Sequence, residues 1–377
     1  MTMCIIQVLP ALEQGGVERG TVEIATALQN EGIKNYVVSA GGKLVADLDK
    51  LGVEHIQLPV DSKNPLKMWL NSYRLEKVLK DKGATLVHVR SRAPAWSVKW
   101  ACHRSGIPFI SSFHGVYGLK PRLFKKFYNQ VMLAGQHVIA VSNHVKQHII
   151  DQYGYPADKI TVIHRGADIV KFDPEKVSDE VVEALRQKYQ IPAGLPIITL
   201  VGRLTAWKGQ RVLLEACRLM KNKQFVCLFV GSDQGRVEYR QELEQKAKEL
   251  GGQPQVKFID SCSAMPALYR LSTIVVNASL DPEAFGRTIT EAQAMGRIVV
   301  ASAHGGACET IQDGKTGFLV PVGDAQALAD TLDRLLSIPV SERTQLEKQA
   351  HESVCQNFSV QKMCVKTLQL YRDLDRR

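Results

Sequence analysis

Hydrophobic and polar positions follow two alternating patterns along most of the chain. Short runs rich in Val, Ile and Phe have the length of buried strands, and the stretches between them repeat apolar residues at the spacing of a helix. Such alternation is typical of a parallel sheet with helices on both faces. In the first half, it predicts strands at 4–10, 36–40, 55–60, 86–91, 109–113 and 137–142, with helices that include 17–32 and 65–83.

The alternation begins again after a last strand and exit segment at 160–174 and a charged helical connector at 178–191. It is more complete in this second half, where strands are predicted at 196–204, 225–231, 256–260, 273–279, 297–302 and 318–321. We therefore predict an α/β protein of two doubly wound, Rossmann-like parallel-sheet domains. The first covers 1–170, and the second covers 171–357 with a linker over 171–195.

Composition narrows the class of protein. The 377 residues are 45% hydrophobic and 23% charged, which is typical of a soluble globular protein with more than one domain. No apolar run reaches the length of about eighteen residues that a membrane span needs, and the N-terminal MTMCIIQVLP lacks the features of a signal peptide. The eight cysteines form no CxxC pair, so we expect reduced thiols in a cytoplasmic protein.

The positive charge is concentrated in the first half. Residues 1–170 carry 21 Lys and Arg against 13 Asp and Glu, whereas residues 171–377 carry 27 against 25. An excess of cations suits phosphate groups, an acidic membrane surface or nucleic acid, although an ordinary solvated surface explains it equally. The basic residues are not interleaved with aromatic residues as in a base-stacking groove, so we expect no nucleic acid partner.

Glycine-containing loops follow the first strand of each predicted domain. GGVERG at 15–20 offers backbone N–H groups at a helix N-terminus, which suits a phosphate or a sugar, although a tight turn needs the same glycines. VGRLTAWKGQ at 201–210 places Arg203 and Lys208 at the carboxyl end of a strand, which suits a diphosphate. Two solvated surface cations are the alternative interpretation of that loop.

The stretch DPEAFGRTITEA at 281–292 carries two glutamates, Glu283 and Glu291, on either side of a Phe–Gly turn. A strand is predicted to end just before it, and a helix is predicted to begin after Gly286. The first N–H groups of that helix, as far as Thr288, would attract a phosphate. The two carboxylates would then hold hydroxyl groups on either side of a diphosphate, which describes a nucleotide-sugar.

Together these motifs resemble those of the family 4 glycosyltransferases, which are retaining enzymes with the GT-B fold. Residues 281–324 are similar to the signature of that family, and GGVER, VIHRGAD, GRL…KG and the Glu-x7-Glu spacing occur in its order over essentially the whole chain. The resemblance implies two Rossmann-like domains that face a central cleft. It also implies that the last helix, at about 358–377, packs back on the first domain.

The resemblance implies a role for each matching residue of the donor site. Arg203 and Lys208 would hold the diphosphate, Glu291 would bind the ribose hydroxyls, and Glu283 would bind hydroxyls of the donor sugar. The helix start would complete this site with Phe285, Gly286, Arg287 and Thr288.

Further matching residues lie on other loops. Gly16 would face the diphosphate and the acceptor, His114 would lie near the transferred sugar, and the backbone from Ser263 to Met265 would border the nucleotide base. The catalytic set would then be Glu283, His114, Arg203 and Lys208. A hydrogen-bonded core histidine is the alternative interpretation of His114.

Two residues depart from the family pattern. Ala284 stands where the family usually has glycine, and it need only avoid a positive φ. Arg165 stands where the family often has asparagine, so it adds a cation and the role of that asparagine does not carry over.

In the implied reaction, cations and helix N–H groups stabilise the negative charge that develops on the leaving diphosphate. No DxD-type carboxylate cluster is evident, so we expect no metal and no cofactor besides the donor, a GDP- or UDP-hexose. Two other function classes stay open. A nucleotide-sugar epimerase or phosphorylase would share the architecture but not the Glu-x7-Glu and GRL…KG motifs, and a non-catalytic protein that binds an anionic polymer would need no nucleotide-sugar.

The predicted acceptor side lies in the first domain. Residues 118–132 suit contact with an anionic membrane surface, although a helix packed by its aromatic residues explains them equally. Arg90 and Arg92 follow a strand where an acidic acceptor could bind. These segments are similar to bacterial lipopolysaccharide-core mannosyltransferases. We therefore expect transfer of a hexose such as mannose to a lipopolysaccharide-core, lipid-linked or other glycan acceptor at the inner face of the cytoplasmic membrane. The basic residues of segment 118–132 that suit this membrane contact are Lys120, Arg122, Lys125 and Lys126. The apolar and aromatic residues beside them are Leu123, Phe124, Phe127 and Tyr128.

Overall fold

Two sheets, each built of parallel strands, organise the protein. The computed structural model describes residues 3–13, 15–118 and 122–375, with the backbone alone at residues 122–124. The chain divides into two compact units, Met1–Arg165 together with Val360–Arg377, and Gly166–Ser359. The first unit therefore ends at Arg165 rather than at the expected residue 170, and it takes in the last helix.

The first unit has seven strands in the spatial order 3-2-1-4-5-6-7, and every pairing is parallel. The strands are β1 Cys4–Val8, β2 Lys34–Ser39, β3 His55–Gln57, β4 Leu86–Val89, β5 Phe109–Phe113, β6 His137–Ala140 and β7 Ile160–Val162. The helices are α1 Gly16–Asn30, α2 Val45–Lys50, α3 Pro65–Asp81, α4 Arg92–Ser105, α5 Arg122–Gln130, α6 Asn143–Tyr153 and, from the end of the chain, α15 Val360–Asp375.

The second unit has six parallel strands in the order 10-9-8-11-12-13. The strands are β8 Ile197–Val201, β9 Val226–Val230, β10 Gln255–Ile259, β11 Ile274–Asn277, β12 Ile298–Ser302 and β13 Phe318–Val320. The helices are α7 Asp179–Lys188, α8 Gln210–Leu219, α9 Val237–Lys248, α10 Met265–Leu271, α11 Arg287–Ala294, α12 Ala307–Thr310, α13 Ala325–Ser337 and α14 Val340–Asn357.

These sheets confirm the predicted class of two Rossmann-like α/β domains. The expectation that the second half has the more complete pattern was wrong, because the first sheet has the larger number of strands. Its β3 and β7 are only three residues long, and both lie within segments that were predicted as strands, 55–60 and 160–174.

Each sheet reverses its strand order at one place, between β1 and β4 in the first unit and between β8 and β11 in the second. Ligands of open parallel sheets bind beyond the carboxyl ends of the strands at such a switch point. The loops after β1, β4, β8 and β11 are therefore the positions where chemistry is expected.

Three of the four helices that follow switch-point strands begin differently from several other helices. Asn64 caps α3 by accepting hydrogen bonds from the N–H groups of Leu66 and Lys67, and Asp324 caps α13 in a similar way. In contrast, α1, α8 and α11 begin after glycines, which supply no capping side chain. A helix start of this kind leaves room for a ligand to approach its first N–H groups. Among the described residues, no helix combines the length and apolar character needed to cross a membrane.

α15 completes the core of the first unit. Its Met363, Leu368 and Tyr371 are buried with side chains of the sheet and α1. The hydroxyl of Tyr371 lies 2.5 Å from Nδ1 of His88, and Nε2 of the same ring lies 2.7 Å from Oγ of Ser112. Burial raises the pKa of Tyr371, so its hydroxyl stays protonated. A chain of buried hydrogen bonds therefore joins the last helix to β4 and β5.

We expect Tyr371→Phe to lower the free energy of unfolding by about 1–3 kcal/mol, because it leaves a ring nitrogen of His88 without a partner in a buried site. Urea-induced unfolding measures the loss. Tyr73→Phe removes a hydroxyl from a ring that is 47% exposed and should change the free energy by less than about 0.5 kcal/mol. Equal effects of the two substitutions would contradict a structural role for the chain of hydrogen bonds.

Candidate functional site

Lys208 and Glu283 form an ion pair at the switch point of the second sheet. Lys208 lies on the loop after β8 and Glu283 on the loop after β11, two strands that pair directly. The ammonium of Lys208 binds Oε1 of Glu283, and Ser279 donates a hydrogen bond of 2.8 Å to the same oxygen. The two side chains are only 13% and 15% exposed, so their attraction is screened less than that of a surface pair.

Glycines allow the surrounding loops to approach closely. Gly209 has a φ of +73°, and a Cβ at this position would lie 1.8 Å from the carbonyl oxygen of Ala278. On the other side, the N–H of Gly306 donates to the carbonyl oxygen of Glu283 at 2.7 Å. A Cβ on Gly306 would lie 2.4 Å from Cα of Phe285. The loop that carries Glu283 is therefore held between the loops that carry Gly209 and Gly306. A larger residue at either glycine would push these loops apart.

Glu291 lies on α11 with its carboxylate between two donors. The hydroxyl of Tyr269, on α10, lies 3.3 Å from Oε2, and Nε of Arg287 lies 3.5 Å from Oε1. Burial, with a smaller effect of the Glu291 charge, raises the pKa of Tyr269, so its hydroxyl remains a donor. Tyr269 was not predicted from the sequence. The available signal was a tyrosine within the apolar run ALYRL, since a buried tyrosine needs a hydrogen-bond partner.

The predicted helix start is present. The surroundings of each residue indicate which of them can contact a ligand. α11 begins at Arg287, directly after Gly286, whose φ is +88°. Phe285 is a core residue, since it is buried and its ring lies 5.9 Å from that of Phe358. Its side chain therefore supports the loop from inside. The hydroxyl of Thr288 lies 3.4 Å from Nδ2 of Asn277, at the end of β11.

Arg203 and Met265 have surroundings different from those of the ion pair. Arg203 is exposed, and its Nη1 lies 3.5 Å from Oε1 of Gln234. Met265 is the first residue of α10 and packs against the core of the second unit. The structure thus joins Lys208 to Glu283 by direct contact, which the sequence did not predict. The joint role of Arg203 and Lys208 toward a diphosphate stays a prediction.

In the first unit, His114 follows β5 and lies near two guanidinium groups. Its Nε2 is shielded from solvent and has no hydrogen-bond partner among the described residues. Burial, and then the nearby charges of Arg90 and Arg165, lower the pKa of His114 well below its usual range. The imidazole is therefore neutral at pH 7, and its Nε2 can make a further hydrogen bond.

The loops after β1 and β4 place the remaining predicted residues of this unit. Gly16 begins α1, and its carbonyl oxygen accepts a hydrogen bond from Arg165. Arg90 is only 3% exposed and donates to Gln7 at 3.0 Å. Arg92 instead donates to Asn129 at 3.0 Å and stacks over a tyrosine ring. The two arginines suggested for an acidic acceptor therefore have different settings, one inside the unit and one packed on an aromatic ring.

Part of the basic segment at 118–132 can be located. Lys120 lies outside the described residues, as do the side chains of Arg122, Leu123 and Phe124. On α5, Lys125 and Phe127 are exposed, and the ring of Phe127 lies 5.5 Å from that of Trp96. Lys126 is half-buried, and burial raises the pKa of Tyr128. The described residues of α5 thus keep a cation and an aromatic ring at the surface.

Two Rossmann-like units with polar loops at their switch points define the GT-B class of fold. The family model described as Glycosyltransferase Family 4 matches residues 14–171, and the model described as Glycosyl transferases group 1 matches residues 181–353. A solved glycosyltransferase from Rickettsia africae ESF-5 is 40% identical, with a TM-score of 0.92 over 99% of this chain and 98% of that chain. The chain therefore belongs to the glycosyltransferases of group 1 and family 4.

Two further matches are less similar to this chain, and the solved structure among them supports the fold. The structure of Anabaena Alr3699/HepE in complex with UDP and glucose is 23% identical, with a TM-score of 0.85 over 98% of this chain and 100% of that chain. The D-inositol 3-phosphate glycosyltransferase of Corynebacterium glutamicum is 30% identical over 56% of this chain and 52% of its own length. The chain thus spans about half the length of the curated relatives it matches.

The lowered pKa of His114 predicts a pH dependence of stability. A histidine in the unfolded chain has a pKa near 6.5, so it binds a proton before the folded one does. The free energy of unfolding should therefore fall as the pH drops below about 6.5, by up to about 1.4 kcal/mol per pH unit for this group. Burial likewise lowers the pKa of His88, which adds a second contribution of the same sign.

Urea unfolding of wild type and His114→Asn at pH 7.5, 6.5 and 5.5 measures this dependence. His114→Asn should show the shallower decline, because it lacks one of the rings whose pKa is lowered by burial. His103→Asn replaces an exposed ring and should retain the wild-type decline. A wild-type slope in His114→Asn would show that His114 titrates normally.

Proposed function

We propose that this protein is a retaining glycosyltransferase that moves a hexose, such as mannose, from a nucleotide-sugar to a lipopolysaccharide-core, lipid-linked or other glycan acceptor of the cell envelope. The observation that carries the proposal is the ion pair of Lys208 and Glu283 at a switch point, in a chain whose two units both match glycosyltransferase family models. The pair supplies one group for a diphosphate and one for sugar hydroxyls. Both lie where ligands of such sheets bind.

The donor is proposed to bind beyond the carboxyl ends of β8 and β11. Lys208, with Arg203, stabilises the negative charge that grows on the diphosphate as its bond to the sugar breaks. The first N–H groups of α11 add to this, because the helix begins after a glycine without a capping side chain. As the ammonium of Lys208 turns toward the diphosphate, Glu283 can accept hydrogen bonds from the sugar hydroxyls. Ser279 continues to orient its carboxylate.

Glu291 is proposed to accept hydrogen bonds from the ribose. Tyr269 and Arg287 both contact its carboxylate, so they fix its orientation before the ribose hydroxyls arrive. The neutral ring of His114 supplies an uncharged hydrogen-bonding group near the transferred sugar. The charges on the diphosphate are met by side chains and backbone, so we propose that the reaction needs no metal ion and no further cofactor.

The relatives suggest which substrates to test first. One fold relative is described in complex with UDP and glucose, and the Corynebacterium relative is named for D-inositol 3-phosphate. UDP-hexoses therefore stand beside GDP-mannose as donors to assay. A phosphorylated acceptor is negatively charged, so it suits the excess of cations in residues 1–170, which carry 21 Lys and Arg against 13 Asp and Glu.

The two glutamates should separate donor binding from sugar transfer. Glu291→Ala should raise the Kd of the nucleotide by about 10-fold to 100-fold, since hydrogen bonds that involve a charged group contribute about 1.5–3 kcal/mol. Glu283→Ala should lower kcat by about 100-fold, while Lys208 remains to bind the diphosphate. Thermal shifts with GDP, UDP, ADP and their sugar conjugates measure binding, and release of the nucleotide measures transfer.

Glu215→Ala is the matched control, because it breaks an exposed ion pair with Arg218 on α8. It should leave binding and transfer at wild-type levels. Stabilisation by one nucleotide family that disappears in Arg203→Ala would support the donor site. Wild-type activity in both Glu283→Ala and Glu291→Ala would refute the assignment.

We also propose that one face of α3 makes contact with the membrane surface. Leu66, Trp69, Leu70 and Tyr73 are 64%, 47%, 44% and 47% exposed, and their spacing places them on one face of the helix. We call these four residues the α3 stripe. Large exposed apolar side chains in a contiguous row mark a surface that meets a partner or a membrane.

Charge around the α3 stripe favours an anionic lipid surface as the occupant. Lys67, Arg74 and Lys77 are exposed on the same helix. The nearby carboxylate of Glu76 is already bound to Lys80 at 2.8 Å and to an arginine of α4. Cations near an anionic membrane surface contribute about 1 kcal/mol each, and Trp and Tyr favour the depth of the headgroups. The stripe thus combines the two attractions that hold peripheral proteins on membranes.

We expect the protein to bind vesicles of phosphatidylcholine with 30% phosphatidylglycerol, and to bind pure phosphatidylcholine at least about 10-fold more weakly because the cations lose their attraction. Replacing Trp69 and Leu70 by Ser should reduce co-sedimentation with the anionic vesicles, whereas Val365→Ser, at a site 67% exposed on α15, should not. Equal binding to both vesicles, or none, would contradict the proposal. A stripe variant that instead dissociates a dimer would identify the stripe as a contact between two copies.

A further inference from the structure

Arg165, one of the two residues that depart from the family pattern, is folded back against α1. It lies three residues after the end of β7, and it is only 6% exposed. Its guanidinium donates a hydrogen bond from Nη2 to the carbonyl oxygen of Gly16 and lies 3.9 Å from the carboxylate of Glu23. Arg165 therefore contacts α1 at its first residue and again two turns later. The side chain braces the helix start from the core side.

Gly20 provides the space for this guanidinium. A Cβ at position 20 would lie 2.1 Å from Nη1, 2.3 Å from Nη2 and 2.5 Å from Cζ of Arg165. Glycine is otherwise unfavourable inside a helix, because it loses more backbone entropy on folding than alanine does. The missing side chain at position 20 therefore leaves a notch in α1, and the planar end of Arg165 fills it.

The same guanidinium reaches the surroundings of His114. A small cavity of about 10 Å³, close to the volume that one water needs, is lined by Arg165, Arg90, His88 and His114 among other residues. Nε of Arg90 is shielded from solvent and has no hydrogen-bond partner among the described residues. Burial lowers the pKa of His114 most, and the charges of Arg90 and then of Arg165 lower it further. Arg165 thus links two residues, Gly16 and His114, that were predicted for the site on separate loops.

We propose that Arg165 is a positioning residue, which fills the notch at Gly20 and holds in place the first turn of α1, whose Gly16 is assigned to the diphosphate and acceptor by the resemblance to the family. The inference rests on the proposed function for the role of that turn. The packing itself does not depend on it. An asparagine at position 165 could not span both contacts, because its side chain lacks the length of an arginine. The notch and the arginine therefore belong together as one feature of this chain.

A double-mutant cycle tests the packing without any activity assay. In the wild type, Gly20→Ala should lower Tm, because the new methyl group displaces a buried guanidinium. In an Arg165→Ala background, the same Gly20→Ala change should raise Tm by roughly 2–4 °C, because the notch is empty and alanine favours the helix. A change of the same sign and size in both backgrounds would overturn the inference, since independent sites add.

Amide hydrogen exchange tests the positioning. Arg165→Ala should speed exchange in the first two turns of α1, whereas Arg372→Gln should not, although it removes an ion pair with Glu31 at the other end of the same helix. Transfer assays on the same variants should show kcat reduced by about 10-fold to 100-fold in Arg165→Ala, with the nucleotide Kd unchanged. Arg165→Lys, which keeps a charge and a donor, should recover part of this loss.

The outcomes separate the inference from the proposed function. Unchanged exchange in α1, or wild-type kcat in Arg165→Ala, would overturn the positioning role even if the cycle shows the expected packing. A wild type that binds no nucleotide-sugar would refute the proposed function alone, because the cycle and the exchange rates report on Arg165 without catalysis.

Discussion

Parallel pairing of all the strands is the constraint from which the other features of this structure follow. A parallel strand can be reached only through a crossover, so every strand is followed by a connection that starts at the same edge of its sheet. The reversal of strand order then leaves one place in each sheet where neighbouring loops leave in opposite directions. Lys208 and Glu283, the ion pair of the candidate site in the second unit, lie on the two loops at that place.

Close backbone approach is what makes the polar loops of the second unit compatible with a packed sheet. The loops after β8, β11 and β12 touch through glycines at 209 and 306, where any side chain would collide with a neighbouring backbone. Such contacts hold Glu283 against Lys208 and allow Ser279 to share the same carboxylate oxygen. Rigid supports of this kind let a small number of charged groups act with defined geometry.

The first unit also contains charged groups within a packed structure, and there they are buried cations. Arg90 and Arg165 are both nearly inaccessible, which is costly for a charge unless it is hydrogen-bonded and paired. Gln7, the carbonyl oxygen of Gly16 and the carboxylate of Glu23 provide these partners. A consequence of this arrangement is a neutral His114 beside positive charge. The neutral ring and the braced helix start are thus two results of one cluster.

The sequence by itself determined the class of fold and most of its elements. The run 109–113 was predicted with the bounds of β5, because a buried strand between turns leaves a strong local pattern. The glycine loops, Glu283, Glu291 and Lys208 were recognised from their spacing and from the resemblance of the motifs to a family. Those signals lie within short stretches of sequence, so they can be recognised without knowledge of the tertiary structure.

Only the tertiary structure decided which of these residues meet. Lys208 and Glu283 are 75 residues apart, and the bond from Arg165 to Gly16 spans 149 residues. Such pairs depend on strand order, which places distant loops side by side, and no local pattern records that order. Neither Tyr269 nor the contact between Lys208 and Glu283 was predicted, for the same reason. The notch at Gly20 is the clearest case. The need for a glycine inside this helix becomes evident only from the position of Arg165, which fills the space.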